Sequence, residues 1–140
     1  MKRLLVLLLC LLVALTMTAC GGGNQDEVAD APEAGVDYVL DEPVPEGAED
    51  ARVIELEFTP QTIIPNEVTM KTGEKILFVI KNTDPDGEHN FLDAASGLPE
   101  ILVYPSQTVR RLWTAPTTPG EYEPTCTIHP WIKMKFIVEE

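Results

Sequence analysis

Glu121-Tyr122-Glu123-Pro124-Thr125-Cys126-Thr127-Ile128-His129-Pro130-Trp131 is the decisive stretch of this 140-residue chain. It puts a cysteine and a histidine three residues apart on what must be a tight turn. Upstream, His89-Asn90-Phe91 supplies the only other histidine, and Cys126 is the only cysteine beyond position 20. A thiolate with two imidazoles is the His2Cys donor set of trigonal copper electron-transfer sites. Two of the donors share a turn, so the third must be delivered by the fold.

The segments around these residues carry strand signals. Val53-Ile-Glu-Leu-Glu-Phe58 alternates apolar and polar, as a half-buried strand does. Glu67 to Lys71 follows, then a turn at Thr72-Gly73, then the more continuously apolar Lys75-Ile-Leu-Phe-Val-Ile80 of a sheet interior. The turn formers Asn82-Thr-Asp-Pro-Asp-Gly87 deliver the chain to a strand over His89 to Leu92. Gln107 to Trp113 reads as a strand and Ala115 to Gly120 as a turn. Lys135-Phe-Ile-Val-Glu139 reads as the closing strand. No stretch has a helical period, and short strands between Pro/Gly turns argue an all-β sandwich or barrel. Pro124 cannot donate to a ladder, so the chain there must lie at an edge or be bulged.

The N-terminus reads as a targeting segment. Lys2-Arg3 precede an apolar run from Leu4 to Leu15 that is too short for a usual membrane span. Met17-Thr18-Ala19-Cys20, followed by Gly21-Gly22-Gly23, resembles the lipobox of bacterial lipoproteins, in which the cysteine is lipidated and becomes the mature N-terminus; Met17 stands where leucine is usual. The expected organisation is a signal peptide over 1–19, a lipidated Cys20 opening an acidic tether over 20–51, and a folded domain over 52–140. An ordinary cleaved signal peptide or an uncleaved anchor is the alternative. Lipidation would fix the protein to a bacterial membrane on its extracytoplasmic side, at the periplasmic face or the cell surface. That compartment disfavours an idle thiol, and coordination by Cys126 would account for the one that remains.

From Asn24 to Asp50 there are ten acidic residues and no basic one, interspersed with Ala, Gly and Pro. Such a composition predicts a disordered, self-repelling spacer, with Tyr38-Val39-Leu40 as an apolar island able to pack on the domain. The whole chain carries a formal net charge of −13, of which −5 falls on 52–140 (eight basic and thirteen acidic residues). No basic cluster suits nucleic acid. Arg110-Arg111 is assigned to solvent and a neighbouring carboxylate.

Strand map and ligand spacing together resemble the cupredoxins, the Greek-key sandwich family of plastocyanin, amicyanin and pseudoazurin. The match covers the domain from about Ile54 and includes Phe58-Thr-Pro60, Thr72-Gly73-Glu74, Asn82 ahead of His89-Asn90-Phe91, and Pro119-Gly120-Glu-Tyr122 ahead of Cys126-Thr-Ile-His129-Pro130. The resemblance implies one type 1 copper ion bound by His89, Cys126 and His129, with Asn90 hydrogen-bonded across to the cysteine loop. For the axial ligand it leaves two candidates. Met134 lies five residues after His129, as the methionine does in plastocyanin-like loops. Ile132 takes that place if the closing strand is aligned without a gap on the shorter amicyanin-like loop. Met134 is favoured narrowly, because copper has affinity for thioether sulfur.

The resemblance implies a non-enzymatic, membrane-tethered one-electron carrier, a monomer, that meets redox proteins at an apolar patch around His129 and Trp131. The competing readings are a copper-sequestering lipoprotein or carrier that does not cycle, a copper oxidase, and a metal-free interaction domain. Trp113, on a strand, is expected in the core.

Overall fold

A computed structural model describes residues 37–140, so the expected signal peptide, Cys20 and the first part of the expected tether lie outside the described residues. Among the described residues nine strands form: β1 (Arg52–Phe58), β2 (Ile63–Ile64), β3 (Glu67–Lys71), β4 (Lys75–Asn82), β5 (His89–Asp93), β6 (Leu98–Val103), β7 (Thr108–Thr114), β8 (Gly120–Tyr122) and β9 (Lys135–Glu139). One sheet has the order β2-β1-β4-β7 and a second β3-β9-β8, while β5 and β6 form a two-stranded ribbon. The β1–β4 and β3–β9 pairs are parallel and the others antiparallel. This is an all-β, cupredoxin-like sandwich. Among the described residues no helix is long and apolar enough to cross a membrane.

Alternation builds the core. β1 turns Ile54, Leu56 and Phe58 inward, β4 Ile76, Phe78 and Ile80, and β9 Phe136 and Val138. Phe78 is the hub: Phe136 stacks on it at 5.8 Å, Phe91 meets it edge-on at 5.8 Å, and Trp113 lies 5.6 Å away. Trp113 is buried, as expected. The Thr72-Gly73 turn also forms, with Gly73 at φ +68°, a region that favours glycine.

Three strands were not legible, and one of them, β8, begins at Gly120, the last residue read as a turn. β6 contains Pro99, which argues against a strand in the sequence. Here it falls where the β5–β6 register shifts, between the Phe91↔Ile101 and Asp93↔Leu98 pairs, so no ladder bond is lost. β2 is two residues long, too short to carry a period. Pro124 behaves as its chemistry requires. β8 ends at Tyr122, and pairing resumes only as the isolated bridges of Thr125 with Leu92 and with Lys133.

The acidic stretch departs from a free spacer over its second half. From Tyr38 onward it lies along the edge of β7. Thr108 donates its N–H to Leu40 O and accepts that of Glu42, and Gln107 Nε2 donates to Val39 O. Tyr38 stacks on Tyr104 at 4.5 Å and donates its hydroxyl to Pro105 O. Arg110 pairs with Asp41 and Arg111 with Glu42, which supplies the carboxylates expected for those arginines. The composition argument missed this because two acidic groups can dock where a sheet edge and two cations await them. Of the apolar island only Tyr38 packs; Val39 and Leu40 stay exposed.

Candidate metal centre

The site begins with Asn82 at the end of β4. Fully buried, it donates Nδ2 to the carbonyls of Gly87, Val103 and Tyr104 at 2.7, 3.2 and 3.1 Å, and its Oδ1 accepts the N–H of Asp84. It therefore shapes the 82–87 turn that aims β5. His89, first residue of β5 and paired with Val103, is buried, with its ring stacked on Phe58 at 4.8 Å. Its Nδ1 points to Cys126 Sγ, 3.8 Å away.

The second ligand segment is a short loop. Cys126 N–H donates to Ile132 O at 3.1 Å and Ile132 N–H to His129 O at 2.9 Å, which closes the turn tightly. This brings His129 Nδ1 to 3.8 Å from the same sulfur. The donor atoms of His89, Cys126 and His129 all lie within 4.8 Å of one another. That spacing suits a first-row metal with bonds of about 2.0–2.3 Å.

The surroundings suit a donor set. The N–H groups of Asn90 and His129 approach Sγ at 3.5 and 3.4 Å, so two dipoles point at the sulfur. Burial, and then the nearby His129, push the His89 pKa below its ordinary value, while Asp84 opposes them. The ring is therefore neutral, as a ligand must be. Asn90 locks the two segments together. Its Oδ1 accepts Thr127 N–H at 2.7 Å, and its Nδ2 donates to Thr127 Oγ1 and Glu100 Oε1, each at 2.7 Å. This is the expected bond across to the cysteine loop.

Beyond the loop the pairing register separates the two axial candidates. Thr125 pairs with Lys133, so Ile132 falls opposite Cys126, whereas the Met134 N–H donates to Pro124 O. Both side chains are buried. On the solvent side His129 is half-buried, and Trp131, 63 % exposed, stands edge-on to it at 5.1 Å. Three neighbours of the site were not singled out in the sequence: Thr127, Glu100 and Asp84. Asp84 was read only as a turn former, and no one-dimensional pattern shows which residue its carboxylate will face.

Comparison with known proteins agrees with this fold. Auracyanin A, a "blue" copper protein of Chloroflexus aurantiacus, superposes with a TM-score of 0.53 at 21 % identity, over 64 % of this chain and 99 % of its own. The auracyanin of Roseiflexus castenholzii gives the same figures. The metal-binding domain of the Cu(I)-exporting P-type ATPase CopA of Streptococcus pneumoniae gives 0.56 at 12 % identity, over 74 % and 97 %. No match was found among curated proteins. The two imidazoles and thiolate, in this family, point to a single copper ion. The sequence matches the cupredoxin-like domain family over residues 7–138, and the chain belongs to that family.

Proposed function

We propose that this protein is an extracytoplasmic type 1 copper protein that carries single electrons and is not an enzyme. The observation that carries the reading is the convergence of three soft or borderline donors, His89 Nδ1, Cys126 Sγ and His129 Nδ1, within 4.8 Å of one another in a largely buried pocket. Bound there, copper supplies a one-electron couple. The protein contributes a fixed donor geometry: Phe58 holds the His89 ring, Asn90 pins the cysteine loop, and two N–H groups face the sulfur. A ligand set that is rigid before binding changes little when the charge at its centre changes, so little reorganisation opposes electron transfer.

Beside the metal we place Ile132 rather than Met134, since the register sets Ile132 across from Cys126 and Met134 two pairs further along, opposite Pro124. Such a site has three strong ligands and an apolar lid, which favours copper(I). His129 is the outward ligand, and electrons pass to redox proteins that dock on the surface made by His129, Pro130 and the exposed Trp131. By this reading 1–19 is a lipoprotein signal peptide and Cys20 carries lipid that ties a monomer to the membrane. The 20–51 segment spans to the 52–140 domain, with its last part strapped along β7.

A second reading, copper storage or transfer without cycling, is favoured by the similarity to a Cu(I)-binding domain of an exporter. One experiment separates the two. The full-length protein with one equivalent of copper(II) is followed by visible and EPR spectroscopy through cycles of reduction and reoxidation. An intense thiolate-to-copper(II) band with small hyperfine splitting that returns on reoxidation supports the carrier. A colourless product, or one that binds copper(I) and cannot be reoxidised, supports storage.

A further inference from the structure

His89 Nε2 is the one buried side-chain nitrogen or oxygen among the described residues with no hydrogen-bond partner. It faces Asp84 Oδ2 at 3.6 Å, an ion-pair contact a few tenths of an ångström beyond hydrogen-bonding range. The carboxylate is held there by design of the turn. Asp84 Oδ1 accepts the N–H groups of Asp86 and Gly87, each at 3.0 Å, and Asp84 N–H is fixed by Asn82 Oδ1 at 2.9 Å. Oδ2 is thus the oxygen left for the imidazole. Gly87 is needed for the approach, because a Cβ at that position would stand 2.5 Å from Oδ2.

We infer that Asp84 is a positioning residue of the metal centre: its carboxylate keeps the His89 proton on Nε2, turns the Nδ1 lone pair toward Cys126, and lowers the reduction potential. The inference rests on the copper reading above. Its physical basis is twofold. A metal-binding histidine is oriented and made more basic by an acceptor on its other nitrogen. A negative charge one imidazole away stabilises copper(II) more than copper(I), since the interaction scales with the charge it faces. Phe58 restrains the plane of the ring, but stacking cannot choose the tautomer, and Asp84 can.

The test uses two variants of the full-length protein. Asp84→Asn keeps an oxygen for the Asp86 and Gly87 amides and removes the charge. Gly87→Ala keeps the charge and drives the carboxylate away from His89. Both should retain the thiolate band and raise the midpoint potential. The expected effect is about a tenfold shift in preference from copper(II) to copper(I), or roughly 59 mV for a one-electron couple. In the metal-free protein, 15N shifts of His89 should show the proton on Nε2 in the wild type and a tautomer mixture in Asp84→Asn. An unchanged potential in both variants with the band intact, or an unchanged tautomer, overturns the proposal. A wild type without a thiolate band overturns the copper reading instead, and the metal-free measurement still decides whether Asp84 sets the His89 tautomer.

Discussion

Replacing Asn90 by alanine should loosen the whole metal centre, by an amount the structure allows us to work out. The amide makes three contacts of 2.7 Å: one accepted from Thr127 N–H, one donated to Thr127 Oγ1 and one donated to Glu100 Oε1. A neutral hydrogen bond contributes about 1 kcal/mol net and one to a carboxylate about 1.5–3 kcal/mol, so the sum is roughly 3.5–5 kcal/mol. Asn90 is buried, but Thr127 and Glu100 reach solvent, where water replaces part of what is lost. We therefore expect a destabilisation of about 2–3 kcal/mol. In a domain of this size that lowers Tm by roughly 10–20 °C. The assay is thermal unfolding of the metal-free protein by circular dichroism, repeated with copper. Because Asn90 joins the His89 and Cys126 segments, copper affinity should also fall, by about 10–100-fold. Asn90→Asp keeps the acceptor for Thr127 N–H yet sets a carboxylate against Glu100, so it should not rescue. A loss under about 1 kcal/mol, with copper affinity unchanged, would refute the pinning role.

Three further outcomes follow from other parts of the fold. Met134→Leu should leave the spectrum and potential unchanged, whereas Ile132→Met should add a sulfur donor and lower the potential; the reverse pattern would put Met134 at the metal. Glu42→Gln tests the strap. The Arg111 guanidinium, as the main cause, holds the Glu42 carboxyl below its ordinary 4.5, so this pair stabilises the fold above that pH and the contribution is lost as pH falls through the folded value. The variant should be less stable at pH 7 by about 0.2–1 kcal/mol, and its stability should fall less steeply in acid than that of the wild type, as read by urea unfolding at several pH values. Trp131→Ala should change stability by less than about 0.5 kcal/mol but slow electron self-exchange between two copies, measured by NMR line broadening. An unaltered exchange rate would remove Trp131 from the docking surface.

Strands whose pattern is local were legible in the chain before any fold was known. Glu67–Lys71 and Lys135–Glu139 fall where alternation put them, because one face of each meets the core and the other meets water. The sequence also marked the three donors, since one remaining thiol and two histidines leave few ways to build a metal site. Whatever depends on contact between distant segments had to wait for the fold. Pro99 could be tolerated in β6 because it sits in a bulge of that strand, and Asp41 and Glu42 are ordered because Arg110 and Arg111 stand on the neighbouring strand edge. Ile132 faces Cys126 because of a pairing register that sequence alignment left open between two loop lengths. The approach of Asp84 to His89 is of the same kind. A residue type shows that a carboxylate can accept a proton or carry a charge, but its direction is fixed by Asn82, by the Asp86 and Gly87 amides, and by the absence of a Cβ at Gly87.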